Sequence, residues 1–497
     1  MRKLYLGIDQ GTTVTTALLM NEQWQVVGRG QKEHRQIFPQ PGWVEHDPID
    51  IYESCLEAVR LALLQANADP KDIYCIGLDH QGETCLLWDK RTGRPVYNAI
   101  VWQDRRTADM AEELKRTDGE RIRRITGMLP DSYYSATKLR WIMDNVPGVK
   151  ERIDRGELLA GTLNTWLIWK FTGGGSHVTD ACSGVRLMLM NLEKGEWDQS
   201  LLDLMSIPRE ILPPIHNCNE IYGYTHPDAF FGVKVPIAGS ISDSNAGIIG
   251  SGSTAPGTLK TSYGTGSFMT LITGNQVIYS KVGLMPCCCW KLSGIPSFSL
   301  TGAAYVAGAA IQWLRDGICI IDSARETETM ALSVEDTKDV YFVPAFAGLA
   351  TPYWDQYARG IFVGLTGCVG REHLVRAVLE SIALQNMDGF RAMQNEYSGK
   401  ITKMRADGGM VDNNFLMQFQ ADLLGIPVEL PSEKETSALG SAFLAALTMG
   451  DFNSLADANP YVKYKCVFEP KMSEDERESR LARYHQAVER SRGWAQK

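Results

Sequence analysis

The sequence predicts an α/β protein of two domains that repeat one layout and share an active-site cleft. Three observations carry this. The chain opens on a strand, a Gly-Thr turn and a return strand at 4–20. The same pattern recurs at 258–272. The length, 497 residues, exceeds what one ordinary core organises and suits two domains of roughly 200–250 residues.

In the opening stretch, LYLGIDQGTTVTTALLM, apolar residues run up to Asp9 and resume at Ala17. The turn between them, Gln10-Gly11-Thr12-Thr13, has little side-chain bulk at Gly11, two hydroxyls and backbone N–H groups. Such a turn can hold phosphate oxygens, and a carboxylate at the strand's end can hold a metal ion bridging them. An ordinary Gly-Thr hairpin fits this stretch equally well.

Composition narrows the function classes. Hydrophobic residues make up 44% and charged residues 22%, as in globular proteins, and the net charge of −9 argues against a nucleic-acid binder. No uncharged apolar run is long enough for a membrane helix, and Met1-Arg2-Lys3 leads straight into the first strand without a signal-peptide pattern. Eleven cysteines lie without Cys-x-x-Cys pairs, which suits a reduced, cytoplasmic enzyme. The run Cys287-Cys288-Cys289 is expected to be core or loop thiols, because neighbours on a strand point to opposite faces.

Trp24–Gly30 reads as a third strand. Asp47-Pro48 opens a helix, with Asp as N-cap and Pro in the first turn, and Tyr52, Leu56, Val59 and Leu63 follow at helical spacing. Ile73–Leu78 is the next strand. The order β-β-β-α-β, with an anion-binding turn after the first strand, is the pattern of the ribonuclease-H-like (actin-like ATPase) core. No GxxxxGK[ST] loop is present. At the end of the fourth strand stands Asp79-His80-Gln81-Gly82-Glu83-Thr84, where open sheets bind ligands. The stretch YNAIVWQDRRT then places Trp102 among polar groups. It suits a sugar or polyol skeleton laid against an indole, though on this stretch alone a core Trp beside surface salt bridges is the favoured reading.

Val235–Ser240 reads as a strand leading to Asp243. This carboxylate either faces a cleft or caps a helix beginning at Ala246. The Gly-Ser-rich seam near residue 250 divides the chain into domains 1–250 and 251–497. Past it come the strands Thr258–Ser262 and Ser267–Ile272, joined by Tyr263-Gly264-Thr265-Gly266. A helix is expected over Thr301–Asp316, and a long amphipathic one over Arg371–Met393 with Glu380 as a satisfied structural carboxylate. Ile401–Ala406 leads through Asp407-Gly408-Gly409 to a helix from Asp412 stopped by Gly425. Glu435–Met449 is an Ala-rich helix, and the charged tail after Lys471 is expected to pack loosely.

These segments together resemble the FGGY carbohydrate kinases along almost the whole length. The resemblance rests on GIDQGTT, FPQPGWVEHDP, YNAIVWQDRRT, DSYYSATKLRW, GTLNTWLIWKFTGG, HVTD, YGTGSFM, AGAAIQWLRD and DGGMVDNNFLMQFQADLLG. It implies transfer of a phosphoryl group from ATP, with Mg2+, to a terminal hydroxyl of a small polyol, glycerol or a slightly longer relative. By the same resemblance Asp243 is the catalytic base, and Asp9 and Asp243 hold the metal. Glu83, Trp102, Tyr133, Gly82, Ser244 and Phe268 line the polyol. Thr12, Thr13, Thr265, Gly308, Gln312, Gly409 and Asn413 contact the nucleotide. The resemblance also implies a homodimer or homotetramer.

Three positions depart from the pattern of the family's glycerol-phosphorylating branch. Gly82 stands where that pattern has Arg, Ser244 where it has Gln, and Thr16 where it has a basic residue. The first two exchange large for small where substrate hydroxyls are read, which predicts a roomier pocket. The alternative substrate is therefore a tetritol, ketose or pentulose. An actin- or chaperone-like ATPase is the reading from another class, and it predicts ATP turnover indifferent to polyols.

Overall fold

The strand Leu4–Gln10 lies inside a six-stranded sheet. On one side it pairs antiparallel with Val14–Met20, which pairs antiparallel with Val26–Glu33. On the other side it pairs in parallel with Ile73–His80, which pairs in parallel with Pro236–Ser242; Gly223–Tyr224 closes the edge. Three antiparallel strands followed by two parallel crossovers are the ribonuclease-H-like arrangement expected from the sequence. The third strand starts at Val26, two residues later than expected, because Trp24 takes a left-handed turn conformation (φ 59°).

The structure is a computed structural model describing residues 2–495. They divide into two units. The first takes in the chain through Thr254, then Cys287–Phe298 and Glu435–Val462. The second takes in Ala255–Pro286, Ser299–Lys434 and the chain from Lys463 on. The seam read near residue 250 thus lies beside the first crossing, at Thr254–Ala255. Two later segments return to the first unit, which a single cut cannot express.

Glycine explains one return. Gly7, Gly77 and Gly239 stand side by side on three adjacent strands. A Cβ on Gly7 would lie 1.9 Å from the Ala438 carbonyl oxygen, one on Gly77 1.9 Å from that of Ser441, and one on Gly239 3.1 Å from the Ala445 nitrogen. The helix Thr436–Thr448 therefore rests its backbone directly on the sheet. It also crosses the helix Asp243–Gly250 through a glycine pair: a Cβ on Gly250 would lie 1.8 Å from Thr436 O, and one on Gly440 1.9 Å from Ala246 O. Bulkier residues would hold these elements apart. The helix Pro48–Ala66 is capped as read, with Ile49 N–H donating to the Asp47 side chain at 2.8 Å.

The second unit repeats the layout. Thr258–Tyr263 pairs antiparallel with Ser267–Gly274 and in parallel with Lys403–Gly408, which pairs in parallel with Val428–Pro431. Tyr464–Phe468 closes that edge antiparallel. The three consecutive cysteines are buried in the strand Met285–Leu292, in the stretch Cys287–Phe298 that returns to the first unit. The helix Arg371–Glu396 packs Val375, Val378, Leu379 and Ile382 inward. Its buried Glu380 accepts from Arg376 at 2.8 Å and lies 3.6 Å from Arg480, a satisfied structural carboxylate.

Three local expectations are corrected. Residues 301–304 continue the strand Ile295–Ala304, and helix forms only at Gly308–Gln312, followed by a wider turn at Trp313–Gly317. The Ala-Gly-rich stretch has little preference of its own, and pairing with the neighbouring strand decides it. The tail is not loose: Glu474–Ser491 is a helix burying Leu481, Tyr484, Ala487 and Val488. Those few apolar positions, at helical spacing, suffice among many charges. The helix after the second crossover starts at Asn414, with Asn413 as its cap. Among the described residues no helix is long and apolar enough to cross a membrane.

Candidate active site

In the first unit the residues singled out from the sequence form one connected set. The end of the opening strand places Asp9 directly opposite Asp79 on the parallel strand. Burial pushes Asp9 up to about 7; Asp79 on its flank lowers it, while the Asp243 and Glu435 charges raise it. Neither oxygen of Asp79 receives a hydrogen bond from the described residues. Burial and the facing Asp9 hold Asp79 well above the usual carboxylate range. Burial thus holds both carboxyls above the ordinary carboxylate range. Glu435 closes the set, 3.1 Å from Arg29.

Asp243 is the first residue of the helix Asp243–Gly250, three residues earlier than the sequence placed the helix start, and Ser242 rather than Asp243 occupies the cap position. Asp243 Oδ1 accepts the Ser244 N–H at 2.5 Å, and Ser437 Oγ donates to the Asp243 carbonyl at 3.0 Å. The carboxylate is thus held by the next N–H of its own helix, and the Asp243 backbone by the helix that returns late in the chain.

The turn after Asp9 is joined to the Trp102 loop. The Trp102 Nε1–H donates to Thr12 Oγ1 at 2.9 Å, and the Trp102 N–H donates to Thr84 Oγ1 at 3.2 Å. Thr13 is exposed beside it. Beneath the loop the charges are buried rather than on the surface. Arg106 lies 2.7 Å from Glu45 and 2.9 Å from Asp104, and its guanidinium stacks 3.8 Å over the Trp43 ring. The Trp102 ring meets Tyr133 edge-on at 5.7 Å. Burial and then the Glu83 charge hold the Tyr133 hydroxyl well above its ordinary value, so it stays protonated.

Glu83 is buried, and Arg186 donates to its Oε1 at 2.9 Å. The same guanidinium donates to Ser244 Oγ at 3.2 Å and to Asn245 Oδ1 at 3.3 Å. Nothing lies within 4 Å of where a Gly82 Cβ would stand. Thr16, opposite Asp9 in the antiparallel register, accepts from Gln31 Nε2 at 3.2 Å.

The remaining predicted residues belong to the second unit. The Gly264-Thr265 turn receives backbone N–H groups from the start of the next helix: Ala307 N donates to Thr265 O at 2.8 Å and Gly308 N to Gly264 O at 2.9 Å. A Cβ on Gly308 would lie 2.7 Å from Gly264 O, so glycine is needed for this contact whatever else it does. Gln312 is exposed one turn on. Gly409 is exposed with open space about it, whereas Gly408 holds the strained conformation (φ 97°) against Tyr263. Asn413 spends its side chain on structure, accepting from Leu416 N at 2.9 Å and donating to Thr327 Oγ1 at 3.1 Å. Phe268, expected to line the polyol, stands 54% exposed on the strand Ser267–Gly274 of the second unit.

Sequence reasoning passed over Glu435, Arg186 and the role of Asp79. No local signal marks Glu435 or Arg186, because each reaches the site only through long-range packing. Asp79 was in view, and its place at a strand end beside Asp9 was the available clue.

Comparison with known proteins fits this constellation. Residues 4–250 match the N-terminal domain of the FGGY family of carbohydrate kinases, and residues 259–449 match its C-terminal domain. The chain belongs to the FGGY family of carbohydrate kinases. It is 48% identical over 493 residues to glycerol kinase 2 of Thermotoga maritima, covering 99% of each chain. It is 46% identical over 497 residues to glycerol kinase of Caldanaerobacter subterraneus subsp. tengcongensis, covering 100% of each. Among solved structures it resembles Plasmodium falciparum glycerol kinase with ADP, with TM-score 0.92, 33% identity, and 99% and 98% of the two chains covered. A xyloylose kinase from Brucella ovis gives TM-score 0.86 at 25% identity, with 98% of each chain covered. This FGGY chain is thus an ATP-dependent carbohydrate or polyol kinase.

The implied metal can be tested against the donors present. Among the described residues no group of three or more His, Cys, Asp or Glu is arranged to hold a metal by itself. Mg2+ does not require one: it keeps several waters and takes one or two carboxylates plus substrate phosphates. The carboxylates Asp9 and Asp243, the second of which acts on the first by its charge, suit that demand.

Proposed function

We propose that this kinase transfers the γ-phosphoryl group of ATP to a terminal hydroxyl of a small neutral polyol, glycerol or a slightly longer relative, with Mg2+ as cofactor. The observation that carries the reading is the continuity of the first unit's site. Thr12, Trp102 and Tyr133 are in contact, and Arg186 links Glu83 to Ser244 beside Asp243.

Phosphoryl transfer asks the protein for positioning and charge stabilisation more than for covalent chemistry. In this reading Trp102 lies along the carbon skeleton, and Glu83 and the Tyr133 hydroxyl take substrate hydroxyls. Asp243 accepts the proton of the attacking hydroxyl, a role its fixed orientation suits. Asp9 and Asp243 would hold Mg2+, which when bound neutralises phosphate charge. Thr12 and Thr13 would meet phosphate oxygens. The second unit's turn at Thr265, with Gly308, Gln312, Gly409 and Asn413, would meet the nucleotide, Asn413 through whatever its capping leaves over. A homodimer or homotetramer is the assembly to test.

A second substrate reading, a tetritol or ketose, is favoured by the open space at Gly82. A panel of glycerol, erythritol, threitol, erythrulose, xylulose and ribulose, followed by coupled ADP release, separates the two. Glycerol as clearly the best substrate defeats the second. ATP turnover indifferent to every compound defeats both and leaves a polyol-independent ATPase.

A further inference from the structure

Arg186 follows the short helix Ala181–Val185, far in sequence from every residue assigned to the polyol. Its side chain is only 16% exposed, and Glu83, its ion-pair partner, only 2%. One guanidinium nitrogen serves Glu83; the other serves Ser244 and Asn245. Its third donor, Nε–H, is buried with no hydrogen-bond partner among the described residues. A buried donor left unmade is costly, and such groups in native proteins are met by water or ligand. The Arg186 charge also acts on the Tyr133 hydroxyl. The guanidinium therefore stands among Glu83, Ser244 and Asn245, and beside Glu83 in the chain the Gly82 position leaves space that nothing fills.

We propose that Arg186 is a specificity-determining residue of this site, donating Nε–H to an oxygen that a four- or five-carbon polyol or ketose carries beyond the reach of glycerol. The inference rests on the kinase reading above and names the substrate class within it. The ligand is neutral. Glu83 already balances the guanidinium charge, so a carboxylate brought to the same place would meet no net positive partner. An Arg fork committed at two nitrogens and open at the third offers one directional bond, which suits a single hydroxyl or carbonyl oxygen.

The test measures kcat and KM of the full chain on glycerol, erythritol, erythrulose, ribulose and glycerate, for the wild type and for Arg186→Lys. Lysine keeps a cation for Glu83 and removes the fork. The expected result is a fall in kcat/KM for the four- and five-carbon substrates at least tenfold greater than the fall for glycerol, expressed mainly in KM. A parallel fall on every substrate would make Arg186 only a strut for Glu83 and overturn the proposal. Glycerate as the best wild-type substrate would overturn it too. Gly82→Leu gives an independent reading should Arg186→Lys fail to fold: filling the space should disfavour the longer substrates in the same ratio, and an unchanged ratio overturns the proposal. A wild type that phosphorylates none of the panel fails the kinase reading itself, a result distinct from any change of ratio.

Discussion

The two units solve the same topological problem and then load the same positions with opposite electrostatics. Each has a first strand with a hairpin partner on one side and two parallel strands on the other. In the first unit the ends of the first and fourth strands carry Asp9 and Asp79, with Asp243 and Glu435 adding their charges. In the second, Ser262 faces Asp407 across the equivalent pair, and Lys260 lies 2.9 Å from that single carboxylate. One half gathers carboxyl groups at its strand ends, while the other pairs its single carboxylate with a lysine and leaves glycine-lined backbone. The two copies of the layout thus diverge at strand ends, where few packing constraints apply.

The largest effect expected tests that division of labour. Asp243→Asn should lower kcat by about 10³-fold, as loss of a general base does, with ADP binding by calorimetry retained. Turnover close to wild type would remove Asp243 from the chemistry and dissolve the contrast.

Next comes the way each unit is held together. Gly77→Val pushes a side chain into the Ser441 backbone and should cost about 3 kcal/mol or more in denaturant unfolding. Gly409→Ala, in the open turn of the second unit, should change stability by less than about 0.5 kcal/mol. Equal costs would mean that the glycine-mediated seat of the late helix is not what distinguishes the first unit.

The two smaller predictions concern pH, and their signs differ. Burial lowers Lys138 of the first unit from 10.5 to about 8, while its ammonium donates to the Tyr133 carbonyl. Between those values the unfolded chain binds the extra proton, so stability should rise with pH from about 8 toward 10.5 relative to Lys138→Met. In the second unit the hydrogen bond to Asp388 raises His485 above its ordinary 6.5. Its contribution is complete below pH 6.5 and is lost as pH rises through the raised value, and 42% exposure keeps it small. Urea midpoints of His485→Gln against wild type, taken across pH 5–8.5, should converge toward the alkaline end.

Much of this was legible in the chain. Strand–turn–strand signals at 4–20 and 258–272 are local, because a turn's residues and the alternation around it lie within a few positions. So are the Asp47-Pro48 cap and the Gly425 stop. The elements that misread were those whose propensity is weak or whose burial is sparse: the Ala-Gly stretch at 301–304, which a neighbouring strand claims, and the charged tail, which four apolar positions anchor.

The sequence by itself determined the doubled α/β layout and the kinase family, since motifs of adjacent residues carry them. Tertiary structure alone decided that the helix Thr436–Thr448 belongs with the opening sheet, that Glu435 joins Asp9, and that Arg186 spans Glu83 and Ser244. Those relations depend on backbones meeting over glycines and on side chains brought together from distant segments. Local patterning holds no record of either, because the chain between such partners carries none of the contact energy that joins them.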